Sequence, residues 1–209
     1  MNWYHWIALA ALLFAAGSCI THFIKLIRLG KPTDYARPAG SEARGIAYSF
    51  TGAMSPSKKE SAYLHLPTYA AGLLYHAGTF TAIILLPFAL AGRVPGGFPA
   101  GVITGFLALS AAAGIFILIK RMMVRKLRVL SNPDDYLSNG LVTLLQLATI
   151  ALLIWGRPLE ITYFLTAAIL FLYLPLGKLK HLVYFFAARY QLGLFYGRRG
   201  VWPDRKRTE

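Results

Sequence analysis

Five apolar segments separated by short polar breaks dominate the pattern of residues along the chain. Each segment approaches or reaches the roughly 20 residues that a transmembrane helix needs. Turn-forming clusters such as GRVPGGFP and SNPDDYLSNG separate the later segments. The pattern therefore predicts an all-α integral membrane bundle of five transmembrane helices. The predicted spans are Trp3–Ile27, Leu66–Ala91, Ala100–Ile119, Leu137–Trp155 and Ile161–Val183.

Composition agrees with a membrane protein. Of the 209 residues, 56% are hydrophobic and only 14% are charged, whereas about 25% are charged in soluble proteins. Cys19 is the only cysteine, which excludes a disulfide framework and any multi-cysteine iron–sulfur or metal site. The N-terminal segment has no basic region before its apolar stretch, so we expect a retained span rather than a signal peptide.

Lys and Arg residues are distributed unevenly among the loops. The first loop holds seven, the third five and the C-terminal tail eight, whereas Arg93 and Arg157 are alone in the second and fourth loops. The positive-inside rule then predicts an outside N-terminus and a cytoplasmic C-terminus. Because this topology accounts for the net charge of +14, we expect lipid contacts and no nucleic acid partner.

The five histidines are the candidate chemistry of the chain. His5 lies at the outer end of the first span and is interpreted as an interfacial ring without a special role. The other four lie in the inner half of the membrane or at its inner surface, where ionisable side chains usually have a function. All eight Asp and Glu lie in loops or at span edges, so we expect no buried carboxylate for a zinc site or a proton relay. Haem b fits better, because its iron can take two axial imidazoles from facing helices. The four inner histidines are His22, His65, His76 and His181.

Helical spacing narrows the haem site. At 100° per residue, His65, Gly72 and His76 share one face of the second helix. Gly72 and Gly78 would leave room for a flat macrocycle against the backbone. His181 in the fifth span is the candidate partner, although depth alone does not choose between His76 and His65. Prolines 67 and 175 should kink the second and fifth helices.

Two segments of the chain resemble one family of membrane cytochromes. LLYHAGTF is similar to the LFHxGxL of that family's second span, and LYLPLGKLKHLVYFFAARYQL is similar to its LFPFSRLVHxWxxPxxYLxRKYQL at the end of the last span. SNGLVTLLQLATIALLI also resembles its fourth span. The family is that of the gamma subunit of respiratory nitrate reductase, a five-span cytochrome b. It includes the related membrane subunits of heterodisulfide reductase and of sulfite-reduction-linked complexes.

The resemblance implies that His76 and His181 are the axial ligands of an inner, cytoplasm-proximal haem b. The family's two outer-haem ligands correspond here to Leu86 and Tyr163, which implies one haem rather than two. A two-haem scheme stays open, in which His65 and His76 would lie about 16 Å apart on one helix. His22 would then have to be a ligand from the first span.

The function implied by the resemblance is electron transfer in a bacterial or archaeal cytoplasmic (inner) membrane. The chain would be a subunit, not the catalytic one, that carries electrons between menaquinone or ubiquinone and an iron–sulfur or catalytic partner on the cytoplasmic side. Residues 1–190 would form the haem-binding transmembrane domain and residues 191–209 a basic cytoplasmic tail. The alternative is a haem-free membrane anchor or a transporter-like bundle, which uses the spans without the histidines.

Further residues are candidates for contacts around this site. Arg44, Lys178 and Arg189 could pair with haem propionates, and His65, His22 and Tyr69 are candidates for a quinone contact or a second haem. The cytoplasmic loop Ala43–Ser61 is long enough to expect a role, either on an electron-transfer partner or over a quinone pocket. The segment HLVYFFAARYQLGLFYGRR, which continues the last span, predicts an interfacial amphipathic helix or a docking surface for a cytoplasmic partner.

Overall fold

The computed structural model describes residues 1–29, 34–58 and 64–203, and these residues are helical with no strand among them. Short 3₁₀ turns cover Gly52–Met54, Pro56–Lys58, Arg157–Leu159 and Lys178–Lys180. The predicted all-α class is therefore confirmed. The helices are α1 Trp3–Arg28, α2 Glu42–Phe50, α3 Leu66–Leu90, α4 Gly97–Met123, α5 Arg125–Val129, α6 Pro133–Trp155, α7 Glu160–Tyr173 and α8 His181–Arg198.

Four of the helices in the described part of the chain, α1, α3, α4 and α6, are long and apolar enough to cross a membrane. The bent pair Arg157–Tyr173 and Lys178–Arg198 raises the number to five if it forms one span. A multi-pass membrane protein follows from these lengths and compositions. The orientation of the termini stays a prediction.

Proline explains why the fifth predicted span is not one continuous helix. α7 ends at Tyr173, and Pro175 follows in the turn that precedes the Lys178–Lys180 segment. Proline restricts the residue before it and donates no backbone hydrogen bond, so the helix breaks there instead of bending smoothly. Pro67 lies in the first turn of α3, where no backbone hydrogen bond is lost, so proline at this position does not require a kink.

The chain divides into two compact units. Unit 1 contains Met1–Gly17 and Pro67–Leu179, and unit 2 contains Ser18–Leu66 and Lys180–Glu209. The domain boundary predicted after residue 190 falls inside α8, so the contacts divide the chain differently from the sequence-based proposal.

In unit 1, small residues allow α3 and α4 to interlock. A Cβ atom added at Gly78 would collide with the Ser110 side chain, and one added at Gly114 would collide with the ring of Tyr75. Each helix thus inserts one side chain beside a glycine of the other, as is common between transmembrane helices. The core of unit 1 continues through fully buried side chains on the other helices, including Leu145, Phe164 and Leu170.

In unit 2, α2 packs directly on α8 through glycines of both helices. A Cβ atom at Gly193 would lie 2.5 Å from Ile46 Cα, and one at Gly197 would lie 2.7 Å from the Ser41 carbonyl oxygen. Ser49 is fully buried at this contact and donates a hydrogen bond to the Arg189 carbonyl oxygen at 2.7 Å. The first half of the predicted Ala43–Ser61 loop is therefore a helix that packs on its own chain, while residues 59–61 lie outside the described residues.

Candidate functional site

His76 lies on α3, about 15 Å along the helix axis from its first residue. Its side chain is exposed, although the surrounding segment is apolar. Its Nδ1 lies 2.7 Å from the Gly72 carbonyl oxygen. Because a carbonyl oxygen only accepts hydrogen bonds, Nδ1 carries the proton and the ring lone pair is on Nε2. Histidines that bind metals commonly donate their other ring N–H in this way, which fixes the tautomer and the ring orientation.

The two glycines near His76 have different surroundings. A Cβ atom at Gly72 would have no neighbour within 4 Å, so the helix surface one turn before His76 is open. Gly78 is buried, and the Ser110 side chain fills the space beside it. The prediction that Gly78 leaves room for a macrocycle is therefore wrong, because this glycine serves the contact with α4. Gly72 keeps its predicted role as the open position.

A buried polar network fixes the rotation of α3 beside His76. The Gln146 amide nitrogen donates to the Tyr75 carbonyl oxygen at 3.3 Å and to the Thr79 hydroxyl at 3.0 Å. Ser110 Oγ donates to the Leu74 carbonyl oxygen at 3.1 Å. Tyr75 is thus held towards α4 and α6 while its neighbour His76 is exposed. The sequence contains one signal of this network that was not recognised, namely the lone Gln146 in an apolar run.

His181 is the first residue of α8 and is also exposed. It belongs to unit 2, whereas His76 belongs to unit 1. Their pairing as axial ligands therefore stays a prediction.

His65 and His22 lie in different structural settings, His65 in a turn and His22 within helix α1. His65 lies in a turn immediately before α3, so it is outside the helix that carries His76, and its predicted separation of about 16 Å from His76 stays a prediction. His22 is exposed on α1, and its Nδ1 lies 3.2 Å from the Ser18 carbonyl oxygen. It therefore has the same tautomer as His76, and its role as a ligand or a quinone contact stays a prediction.

His5 is a packed residue, while its predicted position at the membrane interface stays a prediction. It is only 8% exposed, and its ring centroid lies 4.4 Å from those of both Tyr4 and Phe164. Its Nδ1 accepts a hydrogen bond from the Asn2 backbone N–H at 3.1 Å. The proton of the neutral ring is then on Nε2, which is the opposite tautomer to that of His76.

The buried carboxylate of Asp135 is an ion-pair partner of Lys178. Asp135 is 7% exposed at the start of α6, so the expectation that no carboxylate is buried is wrong. Lys178 Nζ donates a hydrogen bond to Asp135, and Arg121 lies 3.4 Å from the same carboxylate oxygen. Asp135 also closes a capping box with Asn132. The structure assigns Lys178 to this ion pair, which explains its charge without a propionate.

The remaining candidates lie on the surface of their units. Arg44 is exposed on α2, and the Arg189 guanidinium lies 5.8 Å from the centre of the Phe185 ring. Tyr69 is half-buried in the first turns of α3. Their predicted contacts with propionates or quinone stay predictions.

The positions that correspond to the outer-haem ligands are filled by packed side chains. Leu86 is 1% exposed and Tyr163 is fully buried, and both belong to the core of unit 1. A small cavity adjoins Tyr163 and is lined by Thr149 and several apolar residues. The Tyr163 hydroxyl has no hydrogen-bond partner in the described part of the chain. Both positions are therefore occupied by packed core side chains, and the number of haems stays a prediction.

Comparisons with known proteins add no family. No family model matches the chain, and no curated protein and no solved structure matches it either. The described residues contain no group of three or more His, Cys, Asp or Glu that could hold a metal ion. The absence of such a group among the described residues bears on zinc-type sites, which need three or four ligands. It does not bear on a haem with two axial imidazoles, which needs only two histidines.

Proposed function

We propose that the chain is the membrane cytochrome b subunit of a respiratory oxidoreductase complex. It transfers electrons between the quinone pool and an iron–sulfur partner on the cytoplasmic side. His76 and His181 would hold one b-type haem. When bound, this haem supplies a one-electron carrier, since its iron alternates between the ferric and ferrous states.

One observation carries the proposal. An imidazole is exposed in the middle of an apolar helix, and its Nδ1–H is bonded to the Gly72 carbonyl oxygen at 2.7 Å. Exposing an ionisable ring to hydrocarbon is costly, so such a residue is expected to have a function. The bond to Gly72 directs the Nε2 lone pair away from the backbone, as metal ligation requires. The open surface at Gly72 lies one turn away on the same face.

The protein's own residues have distinct roles in this proposal. His76 and His181 would hold the haem iron, and the apolar helices would exclude water from it. The basic side chains of unit 2 are available for propionates, with Arg44 and Arg189 as the candidates. Because the chain has a single cysteine, an iron–sulfur cluster must come from a partner subunit.

A reduced-minus-oxidised spectrum of the purified protein, combined with a pyridine haem count, tests the proposal. We expect one b-type haem per chain. His76→Ala and His181→Ala should each lose the signal, and added imidazole should restore part of it by replacing the missing ligand. His5→Phe is the matched control, because phenylalanine preserves the ring packing against Tyr4 and Phe164 and should keep the full spectrum. Haem-loaded protein without an α band would contradict the proposal.

The alternative, a haem-free anchor or transporter-like bundle, is favoured by one observation. The break between α7 and the Lys178–Lys180 turn makes the last span discontinuous, and broken helices form the binding sites of many transporters. A colourless protein that keeps its helical content after attempted haem loading would support this alternative.

A further inference from the structure

Helix α8 has two different faces. Gly193 and Gly197 lie on the face that α2 covers. Beside this face, Phe185, Ala188, Leu192 and Phe195 follow one another at spacings of three and four residues, and all four are exposed. Phe185 lies at the edge of the contact with α2, where its ring centroid is 6.5 Å from that of Phe50. We call these four residues the α8 stripe. Its three large side chains are 38–39% exposed, so the contact with α2 leaves a large part of this apolar stripe uncovered.

Basic side chains accompany this stripe. The Arg189 guanidinium lies 5.8 Å from the centre of the Phe185 ring, and the Arg199 guanidinium lies 4.3 Å from that of Phe195. Both distances are within the range of a cation–π contact. The charged groups therefore lie beside the aromatic rings, with their stems along the apolar surface.

The described part of unit 2 is strongly basic. Its two carboxylates already have arginine partners: Asp34 Oδ2 lies 3.1 Å from Arg199 and Glu42 Oε1 lies 3.6 Å from Arg198. The hydrogen bonds from Arg199 hold the pKa of Asp34 below its ordinary range, so this pair is ionised at neutral pH. The nine basic residues, against these two acidic ones, are Lys25, Arg28, Arg37, Arg44, Lys58, Lys180, Arg189, Arg198 and Arg199.

We infer that the α8 stripe binds the surface of an anionic membrane, with its apolar side chains about 5–10 Å into the boundary between headgroups and acyl chains. Aromatic and aliphatic residues on one face, bordered by arginines, are typical of helices that lie in this interface. The excess positive charge fits the phosphates of anionic lipids, which attract basic residues near the membrane surface.

Chain continuity also favours the membrane over a soluble partner. Unit 2 begins within α1, at Ser18, and its first segment ends at Leu66, the first residue of α3. Both helices are candidate spans, so unit 2 is joined directly to membrane-crossing segments. A lipid surface is therefore within reach of unit 2 in every copy of the chain. This inference is independent of haem and of the proposed electron transfer.

Spin labels on the full-length protein test the inference. In a Cys19→Ser background, one label is placed at Leu192→Cys in the stripe and a matched one at Ala47→Cys. Ala47 is also exposed, but it lies on the side of α2 that faces away from α8. Both proteins are reconstituted in phosphatidylcholine vesicles with and without phosphatidylglycerol, and collisions with oxygen and with a water-soluble nickel chelate are measured.

With phosphatidylglycerol present, the label at position 192 should collide several-fold less often with nickel than the label at position 47, and more often with oxygen. In neutral vesicles, or after Arg189→Gln, the nickel collisions at position 192 should increase. Equal nickel collisions at the two positions would overturn the inference, because the stripe would then face water and be left for a protein partner. Dipolar broadening at position 192 would overturn it in favour of a second copy of the chain. If the nickel collisions at position 192 were the same with and without phosphatidylglycerol, binding to an anionic surface would be excluded.

Discussion

Gly72 and Gly78 lie on either side of His76 along α3, yet substitutions at these two residues should affect different properties, haem content at Gly72 and stability at Gly78. Leucine at Gly72 meets an open surface, so we expect Gly72→Leu to unfold close to the wild-type temperature. The same side chain would occupy the surface on which the proposed haem lies, and haem content should fall. Gly78→Ala should instead lower the unfolding free energy by about 1–3 kcal/mol, because Ser110 must move.

The measurements are thermal unfolding and the haem-to-protein ratio of each variant. Full haem content in Gly72→Leu would place the cofactor elsewhere. Unchanged stability in Gly78→Ala would contradict the tight contact between α3 and α4.

At the residue scale, the sequence showed which histidines were unusual, but it did not show their tautomers or their packing. His76 was recognisable because an ionisable ring interrupts an apolar run. Its tautomer depends on the ring rotamer and on the Gly72 carbonyl, which no pattern reveals. The packing of His5 on Phe164 could not be predicted, because these two residues lie far apart in the chain. Asp135 was taken as a loop residue, because burial at a helix end depends on the partners that reach it.

At the scale of elements, the contact between α2 and α8 leaves no room for a side chain on the glycines of α8. We expect Gly193→Ala to cost about 1–3 kcal/mol and to release α2, because the added methyl group would meet the Ile46 backbone rather than a movable side chain. Gly140→Ala is the matched control. This glycine is also within a helix, but its added methyl group would have no neighbour within 4 Å, and alanine should stabilise α6 by about 0.5–1 kcal/mol.

Limited proteolysis between α2 and α3 gives the readout, together with thermal unfolding. Faster cleavage in Gly193→Ala than in Gly140→Ala is the expected result. Equal cleavage would mean that α2 does not depend on the glycine contact.

Long elements were predictable from sequence, and short or interrupted ones were not. The first four predicted spans correspond to α1, α3, α4 and α6, because about 20 apolar residues leave few alternatives in a membrane. α2 has only nine residues and forms against α8, so its sequence alone carries little signal. Glycine pairs show the same limit. Gly101 and Gly105 have the GxxxG spacing that is common at helix contacts, yet a Cβ atom added at either would have no neighbour within 4 Å, whereas Gly193 and Gly197 of α8 are tightly packed.

At the scale of the whole molecule, the number of crossings decides on which side the C-terminus lies. α7 has 14 residues and extends about 21 Å, less than the roughly 30 Å hydrocarbon core. It can cross only if the turn after Tyr173 and the following residues complete the span. A re-entrant pair would instead leave the eight basic residues of the tail on the same side as the N-terminus, against the positive-inside rule. We therefore expect five crossings and termini on opposite sides.

Reporter fusions at Glu209 measure this directly. A fluorescent protein that matures only in the cytoplasm should be bright there, and alkaline phosphatase, active only outside, should be silent. The same pair of reporters fused after Trp155, which follows four spans, should give the reverse result and serves as the control. Phosphatase activity at both positions would mean four crossings and a re-entrant last pair. It would also place the α8 stripe on the outer surface and remove the cytoplasmic partner from the proposed function, since His181 and the basic residues of α8 would then face away from it.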